Sequence, residues 1–275
     1  MTATVLAIVL LAALLHALWN ALVKVSGDRA ITLGLVALGH CLPALALLPF
    51  VPMPVAAAFP FIIASTIIHW AYYYFLNISY RFGDLSLIYP IARGTAPVMV
   101  ALGATIWADE HLSFWAWIGI LTVSAGIMIL AAVRHADKRG IGAALMNSTI
   151  IATYSVVDGI GIRLSGAPVG YVVWLFAAEV LVAVFVLGFG LNRLRNIGTK
   201  ALALGLTGGV ISGLAYGLAL FAKTLAPIGI VSAVRETSVI FAALIGVVWL
   251  REGPARRRLI AATVVAGGVM ILALS

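Results

Sequence analysis

The chain has 275 residues, of which 64% are hydrophobic and only 9% are charged, whereas a soluble globular domain carries about 25% charged residues. The high mean hydropathy of +1.16 extends along the whole chain, so no segment is polar enough to form an extramembrane domain. The net charge of +8 comes from cations in short connections, where they indicate orientation and contact with lipid headgroups. Composition therefore excludes a soluble protein and a nucleic-acid partner, and predicts a membrane protein surrounded by lipids.

Apolar runs long enough to cross a membrane follow one another along the chain, separated by charged residues, proline and glycine. A span needs about 20 apolar residues, and a helix satisfies its own backbone hydrogen bonds in hydrocarbon. The sequence therefore predicts an all-α integral membrane protein with ten transmembrane helices joined by short connections. The predicted spans are 3–23, 30–50, 57–80, 85–107, 113–133, 140–163, 168–190, 200–222, 228–250 and 256–274.

Lysine and arginine residues are distributed unequally between the two sides that these spans define. The odd-numbered connections and their flanks hold 13 cations, whereas the even-numbered connections hold only Arg163 and Lys223. Cytoplasmic loops carry the excess of lysine and arginine in membrane proteins. We therefore expect the odd-numbered connections in the cytoplasm and both termini on the periplasmic or extracellular side of the inner (plasma) membrane.

An offset of 142 residues aligns the second half of the chain with the first. Five helices form each copy, so the second copy enters the membrane from the opposite side, which gives inverted-topology repeats. The predicted units are residues 1–133 and 140–275, joined by the short loop 134–139. The aligned positions include Tyr74 with Tyr216, Arg93 with Arg235, Thr95 with Thr237, Trp107 with Trp249, Glu110 with Glu252 and Gly126 with Gly268.

The helix ends and glycines of the two units carry a resemblance to a known family. A proline-containing fourth span is followed by Glu110, Gly119 and Gly126, and Glu252 and Gly268 take the corresponding places in the second unit. With these residues the chain resembles the drug/metabolite transporter superfamily, specifically its EamA-type ten-helix members. The resemblance implies a secondary carrier for small metabolites, often an exporter, with a cavity lined mainly by spans three, four, eight and nine. Relatives are often drawn with cytoplasmic termini, which the charge count opposes.

Arg93 and Arg235 are the leading candidates for contact with a substrate. They lie early in spans four and nine, which run in opposite directions, so both are expected within about 5 Å of the midplane, on opposite sides of it. Two guanidinium groups facing one cavity could hold a carboxylate, phosphate or phosphonate. Tyr89 lies one turn before Arg93 on the same face. The alternative is that Glu179 or Glu236 neutralises Arg235, whereas Arg93 has no acidic neighbour in sequence.

Polar stripes on the first and third spans are further candidates for the substrate site. Residues spaced by four lie on one face of a helix, and each stripe follows this spacing. Hydrogen bonding to a substrate is one interpretation, and polar contact between helices is the alternative. The candidate residues are His16 and Asn20, which share their face with Lys24, and His69, Tyr73 and Asn77.

Glu179 lies in the middle of the seventh span and is the candidate proton-coupling residue. Burial favours the protonated form of a carboxyl group unless the group is paired, and a proton-coupling site needs this property. Pairing with an arginine is the alternative. Asp158, near a helix end, is expected to be a solvated carboxylate, and His40 is expected to fill space.

The eighth span carries a glycine ridge, for which close helix packing is expected. The ridge consists of Gly205, Gly209, Gly213 and Gly217.

The predicted function is secondary active transport of a small anionic or zwitterionic metabolite, such as an amino acid, organic acid or phosphonate, by alternating access. A proton or a counter-substrate is the expected coupled species. The alternative is export of cationic or aromatic drug-like compounds, which the arginines at the midplane disfavour. The histidines lack metal-site spacing and Cys41 is the single cysteine, so no cofactor, metal or enzymatic activity is expected. A channel is less favoured, and the oligomeric state is left open.

Overall fold

The computed structural model describes residues 1–24, 29–82, 85–131, 138–188, 191–194, 197–248 and 255–275. Within these ranges every regular element is a helix. Two short 3-10 turns lie between the second and third α-helices. The α-helices are α1 Ala3–Lys24, α2 Arg29–Leu47, α3 Phe59–Phe82, α4 Leu85–Trp107, α5 Phe114–Met128, α6 Lys138–Leu164, α7 Pro168–Ala178, α8 Val180–Gly188, α9 Leu191–Leu194, α10 Thr199–Ala222, α11 Ile228–Arg235, α12 Ser238–Val248 and α13 Ala255–Leu274.

Seven segments of the described chain are long and apolar enough to cross a membrane. Two further helical stretches, Ala56–Tyr72 and Phe114–Met128, are apolar but shorter. The protein is therefore an all-helical, multi-pass membrane protein, as its composition predicts. The seven segments are Ala3–Val23, Ile31–Phe50, Lys138–Leu164, Pro168–Gly188, Thr199–Ala222, Ile228–Gly246 and Arg256–Leu274.

Two predicted spans are interrupted, each at an acidic residue. The seventh is divided at Glu179 into α7 and α8, and the ninth is divided at Glu236 and Thr237 into α11 and α12. At the second break the backbone forms tighter 3-10 bonds, since the N–H of Glu236 donates to the Ala233 carbonyl at 3.1 Å and that of Thr237 to the Val234 carbonyl at 3.0 Å. Each pair of helices still forms one segment long and apolar enough to cross a membrane, Pro168–Gly188 and Ile228–Gly246, so only the turn inside each segment departs from the prediction.

Helices from the first and second halves of the chain pack directly against each other. In the first half, α1 contacts α10 and α12, and α2 contacts α10, α7 and α8. Both α3 and α4 contact α6, α4 also contacts α11, and α5 contacts α13. The interface between the halves therefore runs through the centre of the bundle, where α4 and α11 carry their arginines.

The glycine ridge of α10 packs closely on α2. A Cβ atom on Gly209 would overlap the Val36 carbonyl oxygen, and one on Gly205 would lie 2.6 Å from Leu35 Cβ. These distances are too short for any larger side chain, because a dense bundle has no space to absorb it. The ridge therefore serves close helix packing, as the spacing of the glycines predicts.

Candidate functional site

Arg93 and Arg235 lie in the interface between the halves, and both are buried, with 6% and 7% of their surfaces exposed. Arg93 comes from the first half of α4, and Arg235 is the last residue of α11. His16 on α1 and Tyr89 on α4 are each close enough to both guanidinium groups to interact with them electrostatically. The structure thus brings these four candidate residues into one polar cluster, which we call the arginine centre.

Arg93 is paired with Glu236 of the other half. The Arg93 Nη2 atom lies 2.9 Å from Glu236 Oε2 in a buried ion pair, although the two groups are not aligned for a hydrogen bond. Glu236 follows Arg235 in sequence, but successive side chains on a helix point about 100° apart. Its carboxylate therefore turns towards α4. Arg93 has no acidic neighbour in sequence, and its partner comes instead from a distant part of the chain.

Arg235 has a different environment. Its guanidinium carbon lies 5.6 Å from the centroid of the Tyr216 ring, which is a cation–π contact. Within the described residues no carboxylate lies at ion-pair distance from Arg235, and its Nε atom is buried without a hydrogen-bond partner. Neither Glu179 nor Glu236 therefore forms an ion pair with Arg235 among the described residues, although Glu236 is close enough to interact with it electrostatically. Of the two arginines, Arg235 is the one without an ion-pair partner among the described residues.

Glu179 pairs with two histidines and not with an arginine. Its Oε2 atom lies 2.7 Å from His40 Nε2, and its Oε1 atom lies 3.4 Å from His69 Nδ1. His69 Nδ1 is also 2.9 Å from the Ser65 carbonyl oxygen, to which it can donate. The expectation that His40 fills space alone is wrong. It has no polar neighbour at helical spacing on α2, so only the fold reveals its partner.

Asp158 is completely buried, contrary to the expectation of a solvated carboxylate. The hydroxyl of Tyr216 donates to Asp158 Oδ2 at 2.6 Å, and the hydroxyl of Tyr171 donates to Oδ1 at 3.1 Å. Helices α7 and α10 supply these tyrosines and cover the carboxylate. Tyr216 therefore contacts Asp158 through its hydroxyl and Arg235 through its ring.

The polar stripe of α1 is satisfied partly by its own helix. The Asn20 amide donates to the His16 carbonyl at 2.7 Å, and the Trp19 indole donates to His16 Nδ1 at 3.3 Å. The Asn20 amide nitrogen thus donates to its own helix. In the stripe of α3, His69 contacts Glu179 as described above. The side chains of Tyr73 and Asn77 lie outside the described residues.

Two tyrosines that the sequence analysis did not select connect the histidines with the arginine centre. The ring of Tyr154 stacks on His69 with 4.5 Å between centroids, and lies 5.9 Å from the ring of Tyr216. The repeat does mark Tyr216 through its match with Tyr74. However, Tyr74 is 59% exposed, so the match by itself does not indicate which tyrosine lies in the site.

A second ion pair joins the halves away from the arginine centre. Arg163 Nη2 lies 2.7 Å from Glu110 Oε1. The Glu110 carboxylate also accepts hydrogen bonds from the backbone N–H groups of Ile228 at 2.6 Å and Gly229 at 3.3 Å, at the start of α11. A carboxylate is favourable at a helix N-terminus. Glu110 therefore caps the start of α11 and pairs with Arg163.

The all-helical fold, with charged side chains buried between apolar helices, defines a multi-pass membrane protein. Residues 138–274 match the family model of the EamA-like transporter family. The chain belongs to this family, within the drug/metabolite transporter superfamily, as the sequence resemblance predicts. Members of the family are transporters and not enzymes.

Solved structures show the same fold. One crystal structure aligns with 100% of this chain and 98% of its own chain, with a TM-score of 0.75 and 17% sequence identity. At this level of identity the similarity shows the fold alone. No curated protein sequence matches the chain.

Proposed function

We propose that the protein is a secondary active transporter that carries a small anionic or zwitterionic metabolite across the inner membrane, and that Arg235 contacts the anionic group. The observation that supports this proposal is the difference in pairing at the arginine centre. Glu236 balances Arg93, whereas Arg235 lies on an aromatic ring. A buried charge without a counter-ion is unfavourable. A carboxylate or phosphonate would remove that cost and accept two parallel hydrogen bonds from the guanidinium group.

The proposal includes ten spans arranged as two inverted units, residues 1–133 and 140–275. Reciprocal contacts between α5 and α13 support it. A Cβ atom on Gly126 would lie 2.7 Å from Val265, and one on Gly268 would lie 2.8 Å from Val123. Gly268 and Val265 are the equivalents of Gly126 and Val123 at the offset of 142. A two-fold axis between the units produces such reciprocal contacts.

Helix packing has the same symmetry when α7 with α8, and α11 with α12, are each counted as one span. The contact of α1 with α10 corresponds to that of α6 with α3. The contacts of α1 with α11 and α12 correspond to that of α6 with α4. Alternating access would then consist of rocking one unit against the other around the arginine centre.

We place both termini on the periplasmic or extracellular side. The two cations that oppose this orientation both have partners within the protein. Arg163 pairs with Glu110, and the buried Lys223 donates to the Ser155 carbonyl at 2.8 Å. The lysine and arginine bias of the remaining loops therefore supports the assignment. A periplasmic phosphatase fused after Ser275 should be active. Fluorescence from a C-terminal reporter that folds only in the cytoplasm would reverse the assignment of the termini.

We assign proton coupling to Glu179. The two imidazoles beside its carboxylate, His40 and His69, are groups with which it can exchange a proton. In proteoliposomes, Glu179→Gln should abolish transport driven by a pH gradient and preserve exchange of substrate between the two sides. A variant that follows the pH gradient as the wild type does would remove Glu179 from the coupling mechanism.

The substrate class is tested by thermal unfolding of the purified protein with a panel of compounds. The panel contains amino acids, organic acids, phosphonates, sugars and amphipathic cations. A ligand at 100 times its Kd stabilises the folded state by about 2.7 kcal/mol. We expect stabilisation by compounds that carry a carboxylate or phosphonate. Stabilisation by amphipathic cations alone would instead support export of drug-like compounds.

A further inference from the structure

Asp158 is an acidic residue beside the arginine centre to which the proposed function gives no role. Its side chain is completely buried, and within the described residues no arginine, lysine or histidine lies at ion-pair distance from it. Two tyrosine hydroxyls, those of Tyr216 and Tyr171, donate to its oxygens instead. A buried carboxylate without a cation in direct contact is unfavourable. Asp158 therefore has a strong reason to bind a proton.

Protonation of Asp158 would change its hydrogen bond with Tyr216. An ionised carboxylate only accepts hydrogen bonds, whereas a carboxylic acid also has an O–H group to donate. A proton on Oδ2, which is 2.6 Å from the Tyr216 hydroxyl, would reverse the direction of that bond. The Tyr216 hydroxyl would then have to donate to a different acceptor. The environment of the Tyr216 side chain thus depends on the charge of Asp158.

Tyr216 also supports the arginine that we propose for anion binding. The face of its ring lies 5.6 Å from the guanidinium carbon of Arg235. While Asp158 is ionised, its negative charge offsets part of the positive charge of Arg235. Once Asp158 is neutral, the full charge of Arg235 acts on an anion. A proton on Asp158 and an anion at Arg235 should therefore favour each other, and this coupling is reciprocal.

We propose that Asp158 is a proton-binding site that is loaded together with the anionic substrate, and that Tyr216 links the two events. The part concerning the anion rests on the proposed function, whereas the proton site stands independently of it. His69, whose side chain is 12% exposed, lies beside Glu179 and interacts electrostatically with Asp158.

The neighbours of Asp158 set the conditions under which it exchanges a proton. They come from every helix that packs around this part of α6. The titratable and charged groups that face it directly, or lie behind the tyrosines, are His69 on α3, Arg93 on α4, Tyr154 on α6, Tyr171 on α7, Glu179 after α7, Tyr216 on α10, Lys223 after α10 and Arg235 on α11.

Infrared spectroscopy of the purified, ligand-free protein tests the proton site. We expect a carbonyl band of a protonated carboxylic acid that titrates with pH, is absent from Asp158→Asn and persists in Glu179→Gln. Persistence of every such band in a folded Asp158→Asn protein would overturn the proposal. Tyr216→Phe keeps the ring and removes one donor to the carboxylate. It should shift the midpoint of the band by about one pH unit, whereas Tyr74→Phe, at an exposed position, should leave it unchanged.

The link to Arg235 is tested in the same spectra without a substrate. Arg235→Gln should shift the midpoint of the Asp158 band, because it removes a nearby positive charge, and an unchanged midpoint would overturn the link. If no acid in the panel binds but the band behaves as expected, the proposed function fails and the proton site stands. If an acid binds equally well across the pH range in which the band titrates, the coupling is wrong and anion transport stands.

Discussion

Arg93 and Arg235 occupy equivalent positions in the two halves and are buried to the same extent, yet they have different partners. Arg93 forms an ion pair with Glu236, whereas Arg235 lies on the ring of Tyr216. The residue after Arg93 is Gly94, and its equivalent after Arg235 is Glu236. The second half therefore supplies a carboxylate that the first half lacks, and it neutralises the arginine of the other half. One difference between the copies thus determines which arginine keeps an unbalanced charge.

The largest effect is expected at the paired arginine. Arg93→Ala leaves the carboxylate of Glu236 buried and alone, which should lower the free energy of unfolding by about 3–5 kcal/mol. The double variant Arg93→Met with Glu236→Leu replaces the pair with apolar groups and should recover most of this loss. Denaturant unfolding in detergent measures both. Equal losses in the single and double variants would show that the pair is not the source of the effect.

A smaller effect is expected at the pair between Glu110 and Arg163, because Arg163 is partly exposed. Glu110→Gln weakens a charge-assisted bond and the cap of α11, and should cost about 1.5–3 kcal/mol of unfolding free energy. Substrate affinity should stay unchanged, since this pair lies outside the arginine centre. The control is Asp109→Asn, whose exposed pairing with His111 should contribute about 0–1 kcal/mol. Loss of substrate affinity in Glu110→Gln would contradict a purely structural role.

The smallest effect on stability is expected at Arg235. Arg235→Met loses the cation–π contact with Tyr216, which contributes about 0.5–2 kcal/mol. The variant also removes a buried charge that has no ion-pair partner, and this gain offsets the loss. The free energy of unfolding should change by less than about 1 kcal/mol. A loss as large as that of Arg93→Ala would contradict the difference between the two arginines.

Much of the fold could be predicted from the sequence, because span length and composition are local properties. α4, for example, runs Leu85–Trp107, the range that hydropathy predicts. The interruptions at Glu179 and Glu236 were not predicted. At Glu179 the N–H still donates to the Leu175 carbonyl as in an α-helix, whereas the turn at Glu236 is tighter. Both acidic side chains are held by groups on other helices. A hydropathy pattern contains no information about such contacts.

The candidate site could be predicted only in part, for the same reason. Arg93, Arg235 and Glu179 stand out in sequence because ionisable residues are rare inside apolar spans. Their partners do not stand out, since His40 and Tyr216 are separated from them by many residues or by a whole helix. The solvation expected for Asp158 is wrong, because a position near a helix end contains no information about the tyrosines that cover it.

The central claim is that Arg235 binds the anionic group of the substrate while the pair of Arg93 and Glu236 stays neutral. It is tested most directly by calorimetric titration of the acid that stabilises the wild type most strongly. We predict that Arg235→Gln loses about 2–5 kcal/mol of binding free energy, roughly 30-fold or more in Kd. The double variant Arg93→Met with Glu236→Leu should bind with a Kd within about threefold of the wild type. Unchanged affinity in a folded Arg235→Gln protein would contradict the account.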